Sequence, residues 1–153
     1  MKKIVAIHQP NYLPWLGYFY KIAECDIFVY LDTVQYPRGQ SFSPRNKIKT
    51  PNGITFLTVP VSVPGGKSGK ALYSEINFAD NKWQNKHLKT VELNYKKTPY
   101  FESVFEIYKS KIMNSDNLVN LNIGLIDALS DYLEIKTKRI KLSEILTTIG
   151  QKN

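Results

Sequence analysis

Two short apolar runs lie near the start of the chain and flank a segment with helical periodicity. The runs cover residues 4–7 and 27–31, and apolar side chains recur at helical spacing over residues 15–25. Pro14 stands close to the first turn of that segment, where proline is well tolerated. A strand, a helix and a strand in this order predict a right-handed β-α-β unit with parallel strands. We expect both strands to be buried, because parallel strands are usually covered on both faces.

An antiparallel hairpin is predicted next. Residues 46–50 alternate in polarity, residues 54–61 are rich in β-branched side chains, and Pro51-Asn52-Gly53 separates the two. Asn-Gly between two extended runs is a strong hairpin signal. The following stretch, 64–70, resembles part of a phosphate-binding loop, but Val61 stands where the first glycine of that motif belongs. We expect a linker or a mobile basic loop there.

The remaining sequence is predicted to be mainly helical. Apolar residues recur at helical spacing in three segments, 81–95, about 100–113 and 117–133. Ser115 is expected to cap the third of these helices. A strand at 135–142 and a helical fragment at 143–149 follow. The predicted fold class is therefore α/β: an N-terminal β-α-β unit with parallel strands, an antiparallel hairpin and a mainly helical C-terminal half. We expect one domain over residues 1–153.

Composition and charge narrow the functional classes. The chain has 153 residues, 42% of them hydrophobic, which suits one folded domain with a real core. Its net charge of +8 would attract anions such as nucleotides, phosphate, nucleic acid or a membrane surface. However, 18 of the 21 cationic residues are lysines and they are spread along the chain, whereas readers of bases and phosphates favour arginine. This distribution argues against nucleic acid as the partner.

Cysteine and histidine usage gives no sign of a metal site. Cys25 is the only cysteine, on the apolar side of the first predicted helix, so we expect a buried structural thiol. His87 stands alone on a predicted helix, and we expect it to be structural. No cofactor can be named from the sequence. We also find no signal sequence and no apolar run of membrane-spanning length, and therefore expect a cytoplasmic protein that does not enter the membrane.

Polar residues follow both predicted N-terminal strands, at the edge where open α/β sheets bind ligands. His8, Gln9 and Asn11 follow the first strand, and Asp32 and Gln35 follow the second. We expect these five to share one crevice. His8 and Asp32 are the candidate catalytic residues, His8 as general base because imidazole titrates near neutral pH. The alternative is that His8 only hydrogen-bonds the loop backbone.

The other candidate substrate-binding residues are aromatic or basic. Arg45, Asn46 and Lys47 form the best anion-binding cluster, since an arginine fork suits phosphate or carboxylate. The alternative for Arg45 is a solvated charge at a strand start. Tyr12 lies in the loop after the first strand, and Trp15 begins the predicted helix. We expect Trp15 to pack beneath the first helix, so that Trp15→Ala would cost about 3 kcal/mol by opening a cavity.

One long motif gives the chain a family resemblance. The run from His8 to Phe19, with the sequence HQPNYLPWLGYF, resembles the signature of the WbqC-like family. Further matches cover most of residues 3–142. They are Asp26, Asp32, Gln35, the Arg45-Asn46-x-Ile48-Lys49 run with Gly53 and Leu57-Thr58-Val59-Pro60, then Trp83, His87, Tyr95 and Tyr100-Phe101.

The resemblance implies a bacterial protein of surface-polysaccharide (O-antigen) biosynthesis. One activity suggested for such proteins is transfer of glycine or another acyl group to an amino sugar. It would require a sugar nucleotide or an activated acyl or aminoacyl donor. Family members usually continue with a further strand and an aromatic-rich end, so we expect this chain to be shortened at its C-terminus. The alternatives are a non-catalytic binding or partner protein and, with less support, a nucleic-acid binder; a homo-oligomer is also left open.

Overall fold

The computed structural model describes residues 2–37, 39, 41–66 and 70–150. The predicted α/β class is confirmed. The strands are β1 Val5–His8, β2 Ile27–Tyr30, β3 Arg45–Thr50, β4 Gly53–Thr58, β5 Val61–Ser62, β6 Asn77–Phe78 and β7 Lys138–Lys141. The helices are α1 Leu16–Ala23, α2 Lys82–Tyr95, α3 Phe101–Asn114, α4 Leu118–Tyr132 and α5 Leu142–Gly150.

A three-stranded parallel sheet in the order β1-β2-β7 carries the N-terminal unit. β1 and β2 pair in parallel as predicted, and β7 joins β2 on its other side. Helices α1 and α4 cover one face: the Tyr18 ring lies 5.5 Å from that of Phe28, and the Tyr30 hydroxyl donates to Asp127 at 2.7 Å. The sheet is therefore formed by both ends of the chain.

The expectation of two buried strands holds for β2 only. Phe28, Val29 and Tyr30 are buried at the centre of the sheet. In β1, Val5 and Ile7 are both more than half exposed, at 55% and 56%. They alternate with Ala6 and His8, which face α1 and α4, so their side chains point to the opposite face of an edge strand.

The hairpin of β3 and β4 is antiparallel as predicted, with Thr50 opposite Gly53 at the turn. Gly53 has a φ of 105°, a conformation that favours glycine. β4 ends at Thr58, earlier than predicted, because Pro60 has no N–H to continue the ladder. The chain then pairs as β5 with β6. Part of the predicted basic loop, residues 67–69, lies outside the described residues.

The helices follow the predicted periodicity, with one correction at a helix start. Ser115 was expected to cap α4, but Asn117 does so: its side chain accepts a hydrogen bond from the backbone N–H of Asn120 at 2.9 Å. Ser115 instead donates to the carbonyl of Lys111 at the end of α3. The strand predicted at 135–142 is shorter, and α5 begins directly after it.

Candidate functional site at the carboxyl end of the parallel sheet

The ends of the three parallel strands lie side by side. His8 pairs with Tyr30 across β1 and β2, and Tyr30 pairs with Lys141 across β2 and β7. Paired residues of a sheet project from the same face. His8 and Lys141 therefore flank the buried Tyr30 on the face that α1 and α4 cover, and both are partly exposed. We call His8 and Lys141, together with Asp32 beyond β2, the sheet-end site.

The hydrogen bond of His8 fixes which ring nitrogen is available. Its Nδ1 lies 2.9 Å from the carbonyl oxygen of Gln9. A carbonyl oxygen can only accept, so Nδ1 carries a proton, and in the neutral ring the lone pair is on Nε2. The same oxygen of Gln9 accepts from the Tyr18 hydroxyl at 3.0 Å, and the Tyr18 and His8 rings meet edge to face at 4.9 Å. No hydrogen bond from a described residue reaches Nε2, which can act as a base.

Asp32 holds the start of α5. It is 4% exposed, its Oδ1 accepts the backbone N–H of Ser143 at 3.0 Å, and its Oδ2 accepts the Ser143 hydroxyl at 2.6 Å. A carboxylate here also complements the positive end of the α5 dipole. These bonds give Asp32 a structural role, and its catalytic role stays a prediction.

The other candidate loop residues differ in their exposure. Gln35 is exposed and forms a β-bridge with Leu72, and Asn11 is partly exposed. Tyr12 is fully buried, so its side chain offers no surface to a ligand in this conformation. The structure therefore brings His8 and Asp32 to the same sheet edge, and the expectation that Gln9, Asn11 and Gln35 share one crevice with them stays a prediction.

Trp15 corrects one expectation. Its side chain is 71% exposed and lies over Gly17, where an added Cβ would come within 2.0 Å of the indole ring. The ring stands outside the first turn of α1, so its removal would leave no buried cavity. An exposed tryptophan beside a loop is compatible with ligand stacking, and that role stays a prediction.

The predicted cluster at 45–47 divides between two faces of the hairpin. Arg45 and Lys47 lie over the ring of Phe56, with the guanidinium carbon at 4.8 Å and the ammonium nitrogen at 5.5 Å from its centroid. Asn46 points the other way, and its side chain donates to the carbonyl of Leu13. Neither cation forms an ion pair with a described residue. We call Arg45, Lys47 and Phe56 the hairpin patch; it can attract an anion and offers an aromatic surface.

Sequence reasoning missed Lys141, Ser143 and Phe56. The first two reach the sheet-end site only because β7 pairs with β2, and no local pattern indicates that pairing. Phe56 joins the hairpin patch because the observed register of β3 and β4 places it opposite Lys47.

A buried hydrogen-bond network of two tyrosine hydroxyls and one histidine ring lies elsewhere in the core. The Tyr12 hydroxyl is 2.7 Å from that of Tyr108 and 2.9 Å from Nδ1 of His87, which is 3% exposed. The His87 ring also hydrogen-bonds the Thr58 backbone, and burial lowers its pKa from 6.5 to about 4. His87 therefore stays neutral near pH 7 and is structural, as expected.

No helix in the described residues is both long and apolar enough to cross a membrane. No group of three or more His, Cys, Asp or Glu side chains in that part of the chain could hold a metal ion.

The fold and the sheet-end site define an α/β domain with a histidine at the carboxyl end of a short parallel sheet. Residues 9–153 match the model of the WbqC-like protein family, and the chain belongs to that family. It is 38% identical, over 142 residues, to the uncharacterised protein Rv1507c of Mycobacterium tuberculosis. The match covers 90% of this chain and 59% of that relative, so the chain spans about three fifths of the relative's length. No solved structure matches it.

Proposed function

We propose that this protein is a transferase of bacterial surface-glycan biosynthesis that moves glycine, or another acyl group, from an activated donor to the amino group of a sugar. The observation that carries the proposal is the hydrogen bond from His8 to Gln9, because it leaves the lone pair of Nε2 available at the ligand-binding edge of the sheet. Membership of the WbqC-like family supports a biosynthetic role. An enzyme using sugar nucleotides would act in the cytoplasm.

In the proposed reaction the sugar amine attacks the carbonyl carbon of the donor. A C–N bond forms, and the bond from that carbon to the leaving oxygen or sulfur of the donor breaks. Nε2 of His8 accepts the proton that the amine loses, and the leaving group departs with the bonding electrons. Lys141, which flanks Tyr30 opposite His8, would stabilise negative charge on the carbonyl oxygen. Asn11 and Asp32 would orient the substrate.

The hairpin patch would bind the charged part of a sugar nucleotide or donor. Arg45 and Lys47 supply two cations without an acidic partner among the described residues, and Phe56 is 44% exposed. Phosphate oxygens would interact with the cations and a base with the aromatic ring. Gln9, Gln35 and Trp15 are the further residues predicted to contact substrate.

Thermal denaturation with a ligand panel tests this proposal. The panel contains UDP-linked amino sugars, ATP, coenzyme A, glycine, and short DNA and RNA at low and high salt. We expect a UDP-linked sugar to raise the melting temperature, and Arg45→Gln with Lys47→Gln to abolish that rise. Lys109→Gln removes one charge on α3 and should leave the rise in melting temperature unchanged. Stabilisation by nucleic acid alone, removed by salt, would refute the proposal.

A second candidate, a non-catalytic partner protein, is favoured by one observation. Val5 and Ile7 expose apolar side chains on the face of the sheet opposite α1 and α4. Such a protein would bind another chain through this face and would not depend on His8. Concentration-dependent association, lost in Val5→Lys with Ile7→Lys, would support it.

A further inference from the structure

An apolar cavity of about 260 Å³ lies on the helical side of the molecule, apart from the sheet-end site. Its walls come from the β3 strand, the end of α2, the turn that follows, and helices α3 and α4. The lining includes Leu13, Ile48, Val91, Val104, Phe105 and Leu129. One strand and three consecutive helices therefore converge on a space that none of their side chains fills.

Three polar side chains of the lining, Tyr95, Thr98 and Tyr108, already form hydrogen bonds, and the exposed Tyr100 is the remaining one, so the cavity favours an apolar ligand. The Tyr95 hydroxyl accepts the backbone N–H of Lys49 at 2.9 Å. The Tyr108 hydroxyl is bonded to Tyr12, and Thr98 donates to the Tyr95 carbonyl at 2.7 Å. The hydroxyl groups of these three residues therefore do not require a hydrogen bond from a ligand in the cavity.

Backbone strain is concentrated at the same place. Three described residues other than glycine have a left-handed backbone, and two of them, Leu13 with φ 45° and Tyr100 with φ 62°, line this cavity. Such conformations cost about 1–2 kcal/mol per residue and often occur at ligand sites.

The mouth of the cavity is positive. Tyr100 precedes the first residue of α3 and provides no side-chain cap, and the backbone N–H of Phe101 donates instead to the Thr98 carbonyl at 3.4 Å. The exposed Lys96 and Lys97 immediately precede the lining residue Thr98, and they outnumber Glu102 in the first turn of α3. An anionic group would be stabilised beside this opening.

We propose that the cavity binds the acyl chain of a small amphipathic anion, with the chain inside and the anionic group beside Lys96 and Lys97. Since an engineered apolar cavity of ~150 Å³ accepts benzene, the present volume suits a chain of about eight carbons. This site goes beyond the transferase proposal and does not depend on His8 or the hairpin patch.

Calorimetric titration with octanoate, octanol and octylamine tests the site. We expect octanoate to bind most tightly and octylamine most weakly. Val104→Trp, which fills the cavity, should weaken the binding of octanoate at least tenfold. Met113→Trp introduces the same side chain on the same helix outside the cavity and should have no effect. Circular dichroism checks that both variants fold.

A second pair of variants tests the charged mouth. Lys96→Gln with Lys97→Gln should weaken the binding of octanoate several-fold and leave the binding of octanol unchanged. Absence of octanoate binding by the wild-type chain, or equal binding by Val104→Trp, would overturn the proposal. Octanol binding as tightly as octanoate would overturn it too, because the anion would then contribute nothing. Loss of sugar-nucleotide binding in hairpin-patch variants would leave this result untouched, so the two proposals can fail separately.

Discussion

Tyr12 and Trp15 stand three positions apart in the same motif and have opposite environments. The sequence suggested that Trp15 packs beneath α1 and that Tyr12 contacts substrate, whereas Tyr12 is fully buried and Trp15 is 71% exposed. The segment between β1 and α1 has no regular period, so hydrophobicity alone could not tell which aromatic ring enters the core. His8 was easier to place, because it follows an apolar run that ends at a sheet edge.

The first residue-scale prediction concerns the buried hydroxyl of Tyr12. Tyr12→Phe removes the group that bridges His87 and Tyr108 and leaves two buried polar groups without this partner. We expect the free energy of unfolding to fall by about 1–3 kcal/mol in urea denaturation. Tyr20→Phe is the control, because this side chain is 65% exposed, and it should change the free energy of unfolding little.

The exposure of Trp15 gives a second prediction. Trp15→Ala should lower the free energy of unfolding by less than about 1 kcal/mol, because an exposed ring leaves no cavity when it is removed. Urea denaturation measures this directly. A loss of about 3 kcal/mol would mean that the ring packs against the fold in solution.

The buried His87 gives a pH dependence of stability. Its pKa is about 4 in the folded chain and near 6.5 when exposed, so between these values the unfolded state binds a proton that the folded state does not. The free energy of unfolding should therefore fall as pH drops from about 6.5 to 4, by at most about 3 kcal/mol.

Urea denaturation across this pH range, with an NMR titration of His87, provides the measurement. His87→Gln should be less stable at pH 7 and should lose the part of the pH slope that His87 contributes. A His87 resonance that titrates near pH 6.5 in the folded protein would contradict the assignment.

At the scale of elements, local sequence patterns predicted the strands and helices better than they predicted the environments of single side chains. The β-α-β unit and the hairpin have clear periodicities and an Asn-Gly turn, and both formed as expected. The order of the sheet could not be predicted, because β7 comes from the other end of the chain and pairs with β2, and its Arg139 forms an ion pair with Asp127 of α4. That order makes β1 an edge strand.

The end of α4 offers an element-scale prediction. Glu134 has a φ of 58° and donates its N–H to Asp131, and Ile135 donates to Ser130 at 2.9 Å. This is a Schellman motif, whose left-handed position favours glycine. Glu134→Gly should therefore raise the free energy of unfolding by about 1 kcal/mol in urea denaturation. Glu134→Ala removes the same charge without relieving the strain, and equal effects of the two would refute the explanation.

At the scale of the whole molecule, the sheet-end site combines side chains from opposite ends of the sequence. His8 could be found from its motif, but Lys141 and the capping of α5 by Asp32 depend on the assembled sheet. The hairpin patch is local, so two of its three members were predictable from the sequence. The apolar cavity could not be foreseen, because its walls come from four elements whose packing no sequence period encodes.

Acyl transfer followed by mass spectrometry tests the proposed catalytic role of His8 most directly. The wild-type chain is incubated with a UDP-linked amino sugar and, in separate reactions, a glycyl adenylate and a glycyl thioester of coenzyme A. We predict a glycylated sugar nucleotide from the wild type and at least a hundredfold slower formation by His8→Phe, which keeps the ring contact with Tyr18 but lacks Nε2. No product above the uncatalysed background, or equal rates for the wild type and His8→Phe, would contradict the proposed role of His8.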